Sequence, residues 1–104
     1  MFKIAGHTMG TPEYTVCEAI ELMRRIGADG IEIVVQDGYR SGLPCDCGAQ
    51  TLAEVKRCAE RNGIQIICLT PYNSYFNSLD EPVRQREIAA IQKVIGYCGN
   101  LGAR

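Results

Sequence analysis

Short apolar runs alternate with longer stretches in which apolar residues recur every three or four positions. The run 2-FKIAG-6 reads as a first strand. Thr11 and Pro12 predict a helix start, with Thr as N-cap and Glu13 in the first turn, and Val16, Ile20, Met23 and Gly27 follow at helical spacing. The β-branched run 30-GIEIVVQ-36, bounded by Gly30 and Asp37-Gly38, predicts a second strand. Thr51-Leu-Ala-Glu54 has the spacing of a capping box, opening a second helix with a Leu52, Val55 and Ala59 stripe that Asn62-Gly63 closes. The run 64-IQIICL-69 predicts the third strand. Asp80, Glu81 and Pro82 then open a third helix with Ile88, Ile91, Ile95 and Cys98 on one face.

Gly27, Gly63 and Gly102 close the three helices at similar intervals, the period of a βα unit in a parallel α/β fold. The second and third strands are almost continuously apolar, as strands are when helices cover them. The expected architecture is a single partial domain over residues 1–104. It holds about three consecutive βα units of a parallel (β/α)8 TIM barrel, incomplete. Three units leave an open sheet with two bare edges. Either the chain is the front part of a longer protein, which 99-GNLGAR-104 favours as an approach to a fourth strand, or another chain covers those edges.

Composition narrows the function. A net charge of −1 offers no field to gather nucleic acid. No apolar run reaches bilayer length, and no signal-peptide pattern begins at Met1, so no membrane partner and a cytoplasmic location are expected. Cys17, Cys58, Cys68 and Cys98 fall at or beside core-facing positions of helices and a strand, where reduced thiols act as small hydrophobes. Cys45-Asp46-Cys47 looks like a metal clamp, but its C-x-C spacing lacks the second ligand pair of a zinc site, and no C-x-x-C redox signature occurs.

The segments 26-IGADGIEI-33, 69-LTPYNSYFN-77 and 94-VIGYCGNLGAR-104 resemble the N-terminal part of the xylose-isomerase-like TIM barrels. That family contains sugar phosphate isomerases and epimerases and endonuclease IV-type repair enzymes. The resemblance implies a sugar or sugar phosphate as small-molecule partner, interconverted between aldose and ketose or between epimers by metal-assisted proton transfer. It also implies a divalent metal held by Glu, Asp and His mostly from later strands, so that no metal ligand is assigned here and the 104-residue chain alone is expected to be inactive. The nuclease branch fits poorly, because one histidine and no basic excess suit neither a metal cluster nor phosphates. The alternative is a non-catalytic α/β module that self-associates through its sheet edges, as a homo-oligomer, or completes a barrel with another chain.

Sites in this fold lie at the C-terminal ends of the strands. Alternation places Ile31, Ile33 and Val35 under the helices and Glu32, Val34 and Gln36 on the interior face. An interior carboxylate needs a partner, so Glu32 is either a site residue or a structural group paired with a base such as Lys3. The candidate substrate-binding set is His7, Glu32, Gln36, Tyr39, Arg40, Thr70, Tyr72 and Asn73. Tyr75 or Phe76 would form an apolar wall for a sugar ring, unless Pro71, Tyr72 and Phe76 only cap the barrel mouth. No catalytic residue is assigned.

Overall fold

The computed structural model describes residues 1–104, and its centre is the strand β2 (Gly30–Val35). β1 (Ala5–His7) and β4 (Gln65–Pro71) both run parallel to β2. β4 pairs with it along its whole length, so β1, at residues 30–32, and a two-residue strand β3 (Gly42–Leu43), at Val34 and Val35, share the other edge. β3 was not expected. It is parallel too, and lies in the loop that follows β2. The helices are α1 (Val16–Arg25), α2 (Ala49–Asn62) and α3 (Glu81–Leu101), with one 3-10 turn at Thr8–Gly10. The sheet is open, the incomplete portion of a barrel that the repeat pattern predicts.

Ile31, Ile33 and Val35 are fully buried in one core with Ile20 and Met23 of α1 and Leu52, Val55 and Cys58 of α2. Val34 is equally buried yet stands outside that cluster, with Glu32 half-buried beside it, as strand alternation requires. The helix stops read from the sequence hold. Gly27, Gly63 and Gly102 all adopt positive φ (92°, 61° and 74°), a region open to glycine and costly for other residues.

Several boundaries differ from the sequence pattern, each for a visible reason. α1 starts at Val16, not after Thr11, because Thr15 and Glu18 form a full capping box. Thr11 is engaged elsewhere: its hydroxyl bonds the Thr8 carbonyl at 3.0 Å and the Ser41 hydroxyl at 2.8 Å. The capping box expected at Thr51 and Glu54 does not form. α2 begins earlier with Gly48 as N-cap, and the Glu54 carboxylate accepts from Gln50 instead. β1 begins at Ala5, leaving Phe2 and Ile4 exposed, and β4 continues through Thr70 and Pro71. On α3 the Asp80 cap forms, but Val94 and Leu101 are the buried residues while Ile88 and Ile95 are exposed. Apolar residues occupy more than one face of this helix, and the sheet takes the stripe through Val94.

The capping box of α1 carries a pH dependence. Bonding to the Thr15 backbone N–H chiefly, opposed by burial and then helped by the Thr15 hydroxyl and the Arg40 charge, holds the Glu18 carboxyl below its ordinary value of 4.5. A carboxyl lowered on folding stabilises the fold above its unfolded pKa, and that contribution is lost as pH falls through the folded value. Glu18→Gln is therefore expected to reduce stability at neutral pH and to leave it unchanged at about pH 2, where both side chains are uncharged. Urea unfolding of both chains at the two pH values checks this; an equal loss at both would remove the carboxylate from the explanation.

Candidate functional site

Three of the sequence-predicted residues meet on three adjacent strands: His7 and Thr70 at or near C-terminal ends, and Glu32 midway along β2. His7 ends β1, its register partner Glu32 lies on β2, and Thr70 lies near the end of β4. His7 Nε2 stands 3.3 Å from Thr70 Oγ1 and 3.9 Å from Glu32 Oε2. The other ring nitrogen is occupied, since the Met9 backbone N–H donates to Nδ1 at 3.0 Å. A nitrogen that accepts a hydrogen bond carries no proton, so the neutral ring is protonated at Nε2 and aims that N–H at the hydroxyl and the carboxylate. The base paired with Glu32 is thus His7 and not Lys3. Both side chains are about one-third exposed, 33% and 38%, on a face that a solvent molecule or ligand reaches.

Thr8, which the sequence did not single out, fixes this cluster. The chain leaves β1 at Thr8 for the 3-10 turn, so no β1 carbonyl reaches the amide of Val34. The buried Thr8 hydroxyl takes its place, accepting from Val34 N at 2.9 Å. Tyr39 pins the same turn, its hydroxyl lying 3.0 Å from the carbonyls of both Thr8 and Met9.

The remaining candidates are dispersed. Gln36 is exposed and its backbone N–H pairs with Leu43. Arg40 turns to the start of α1, 4.0 Å from Glu18. Tyr72 follows β4, half exposed, with its N–H bonded to the Val35 carbonyl. Asn73 donates to Glu87 of α3 at 3.2 Å. Tyr75 and Phe76 are exposed.

The Cys45-Asp46-Cys47 loop is held by a residue of α3. The Tyr97 hydroxyl donates to the Cys45 carbonyl at 3.0 Å and accepts from the Cys47 N–H at 2.9 Å. Lys93 reaches Asp46 at 3.2 Å, and Asp37 accepts from Cys45 N at 2.8 Å. A cleft of about 280 Å³ lies here, lined by Asp37, Cys45, Asp46 and, from α3, Arg86, Ala89, Ala90 and Lys93. It does not include the His7 cluster, which sits on an open sheet without opposing walls. All six cysteines are free, and no group of three or more His, Cys, Asp or Glu side chains stands together as a metal site. No helix is long and apolar enough to cross a membrane.

Parallel strands backed by helices, with polar side chains converging on one face of the sheet, define an open segment of a βα-barrel fold. A profile of the xylose isomerase-like TIM barrels matches residues 20–104. The chain belongs to that family. Among solved structures it is similar to a xylose isomerase domain-containing protein from Salmonella typhimurium LT2, with a TM-score of 0.65 and 19% identity. The match covers 98% of this chain and 34% of the other, so the chain spans about a third of that protein's length. No curated protein matches it.

Proposed function

We propose that the chain supplies the first βα units of a barrel that interconverts sugars or sugar phosphates, aldose with ketose or one epimer with another, by proton transfer. The observation that carries this reading is the convergence of the His7, Glu32 and Thr70 side chains across three parallel strands. An Nε2–H donor, a carboxylate acceptor and a hydroxyl that serves as either suit the alternating donors and acceptors of a polyol. The 3.9 Å gap between His7 and Glu32 exceeds a hydrogen bond, so a sugar hydroxyl that bridges them gains two partners.

His7 binds and orients in this scheme, and Glu32 accepts a hydrogen bond from a substrate hydroxyl. Members of the family are generally metal-dependent. The residues of this chain do not fit an ion on their own: beside Glu32, the one histidine has Nδ1 occupied. The ligands would come from the rest of a complete barrel, as would the second acid/base group that proton transfer between adjacent carbons needs. A reducing, cytoplasmic setting agrees with six free thiols. The free outer edge of β4 and the exposed Ile95 are the surfaces on which further barrel units, or a second copy, would pack.

The test is NMR titration of the 104-residue chain with a panel of aldoses, ketoses and their phosphates. The expected result is weak binding that shifts the His7 ring and Thr70 signals without turnover. Glu32→Gln is expected to weaken it about tenfold, the loss of one hydrogen bond to a charged group. Binding that leaves His7 unmoved, or that Glu32→Gln leaves intact, would remove this site from the proposal.

A further inference from the structure

The six cysteines differ in what surrounds them. Cys47 and Cys68 have their sulfurs against the neighbouring carbonyls of Gly48 and Leu69. Cys17 and Cys58 instead face each other across the contact between α1 and α2. Cys58 is fully buried, with Sγ 3.6 Å from the Cys17 carbonyl oxygen, and its thiol also reaches the Cys17 side chain. Burial first, and then this contact, push the Cys58 thiol up to about 12, so it stays protonated at neutral pH. Cys17 lies in the first turn of α1 and is partly exposed, so an oxidant in solution meets it first. Asn62 Nδ2, 3.8 Å from Cys58 Sγ, is a donor placed to follow that sulfur as it loses its proton.

We propose that Cys17 and Cys58 are a peroxide-responsive thiol pair, which closes to a disulfide joining α1 to α2. The Cys17 thiolate attacks one oxygen of hydrogen peroxide. The O–O bond breaks, hydroxide leaves and takes up the proton Cys17 released, and Cys17 becomes a sulfenic acid. The Cys58 sulfur then attacks the Cys17 sulfur, the S–O bond breaks, and the departing hydroxide takes the Cys58 proton as water. Two thiols lose two electrons in all, and one peroxide becomes two waters. The bond would tie together two helices packed on the sheet, α1 against β2 and α2 against β4, without touching His7, Glu32 or Thr70.

The full chain, treated with equimolar hydrogen peroxide in native buffer, is blocked with N-ethylmaleimide and mapped by peptide mass spectrometry. The expected product is lighter by two hydrogens, has two fewer blocked thiols, yields one linked peptide containing Cys17 and Cys58, and reverts with dithiothreitol. Cys58→Ser is expected to leave a Cys17 sulfenic acid that dimedone captures. Cys17→Ser, a change at a partly exposed position, is expected to leave Cys58 reduced at the same dose, and it decides the matter if the Cys58 variant fails to fold. A linked peptide from any other pair, or Cys17 and Cys58 both still alkylatable after Cys45 has been oxidised, overturns the proposal.

Discussion

Ile33→Ala is expected to cost about 2–5 kcal/mol of folding stability. Ile33 is fully buried in β2, the one strand that pairs with all three others. Its side chain lies in the cluster that joins α1 and α2 to the sheet, so no single helix can move to fill the space it leaves. The loss is a large fraction of the whole stability of a small domain, roughly 5–15 kcal/mol. Urea unfolding followed by far-UV circular dichroism measures it. Ile95→Ala supplies the contrast: that side chain is 64% exposed, and its loss is expected to change stability by less than about 0.5 kcal/mol. Equal losses at the two positions would mean that β2 is not the centre of the core.

The second large effect concerns Thr8, and it falls on a hydrogen bond. Thr8→Val keeps the shape but removes the oxygen that accepts the Val34 N–H, leaving a buried donor without a partner. The expected cost is about 1–3 kcal/mol. Thr8→Ser keeps the acceptor and deletes one methyl, which costs only about 0.8 kcal/mol. The amide of Val34 is expected to exchange much faster in the valine chain than in the serine chain. Hydrogen exchange read at that residue separates the two, and identical rates would show that the hydroxyl does not stand in for a strand carbonyl. The turn that Thr8 anchors also presents the Met9 N–H to His7, so the valine chain is expected to loosen the His7 ring as well.

Local pattern carried the architecture. The run from Gly30 to Val35 is a strand because β-branched residues crowd it, and alternation alone put Glu32 opposite Ile31 and Ile33. The three helix stops were legible because only glycine takes a positive φ readily. The site was legible in part. His7 and Thr70 follow from where a parallel strand ends and Glu32 from alternation along β2, but the ring nitrogen each neighbour occupies does not follow. What spacing could not reveal depends on partners far along the chain. Thr11 looks like a helix cap until Ser41, thirty positions on, takes its hydroxyl. Thr51 and Glu54 have capping-box spacing, yet α2 had already started at Ala49. Thr8 carries no motif at all, since its partner Val34 is set by the register of two strands. Spacing puts Ile88 and Ile95 on one face of α3, but helical periodicity does not say which of two apolar faces the sheet will choose.

The Tyr97 hydroxyl joins backbone atoms 50 and 52 residues earlier in the chain. The shape of the Cys45-Asp46-Cys47 loop is therefore written in α3, and it cannot be complete until α3 has docked. During synthesis the loop emerges long before its clamp, and it spends that interval without its final form. Transplanted into another scaffold, residues 45–47 would carry their sequence along and leave their conformation behind.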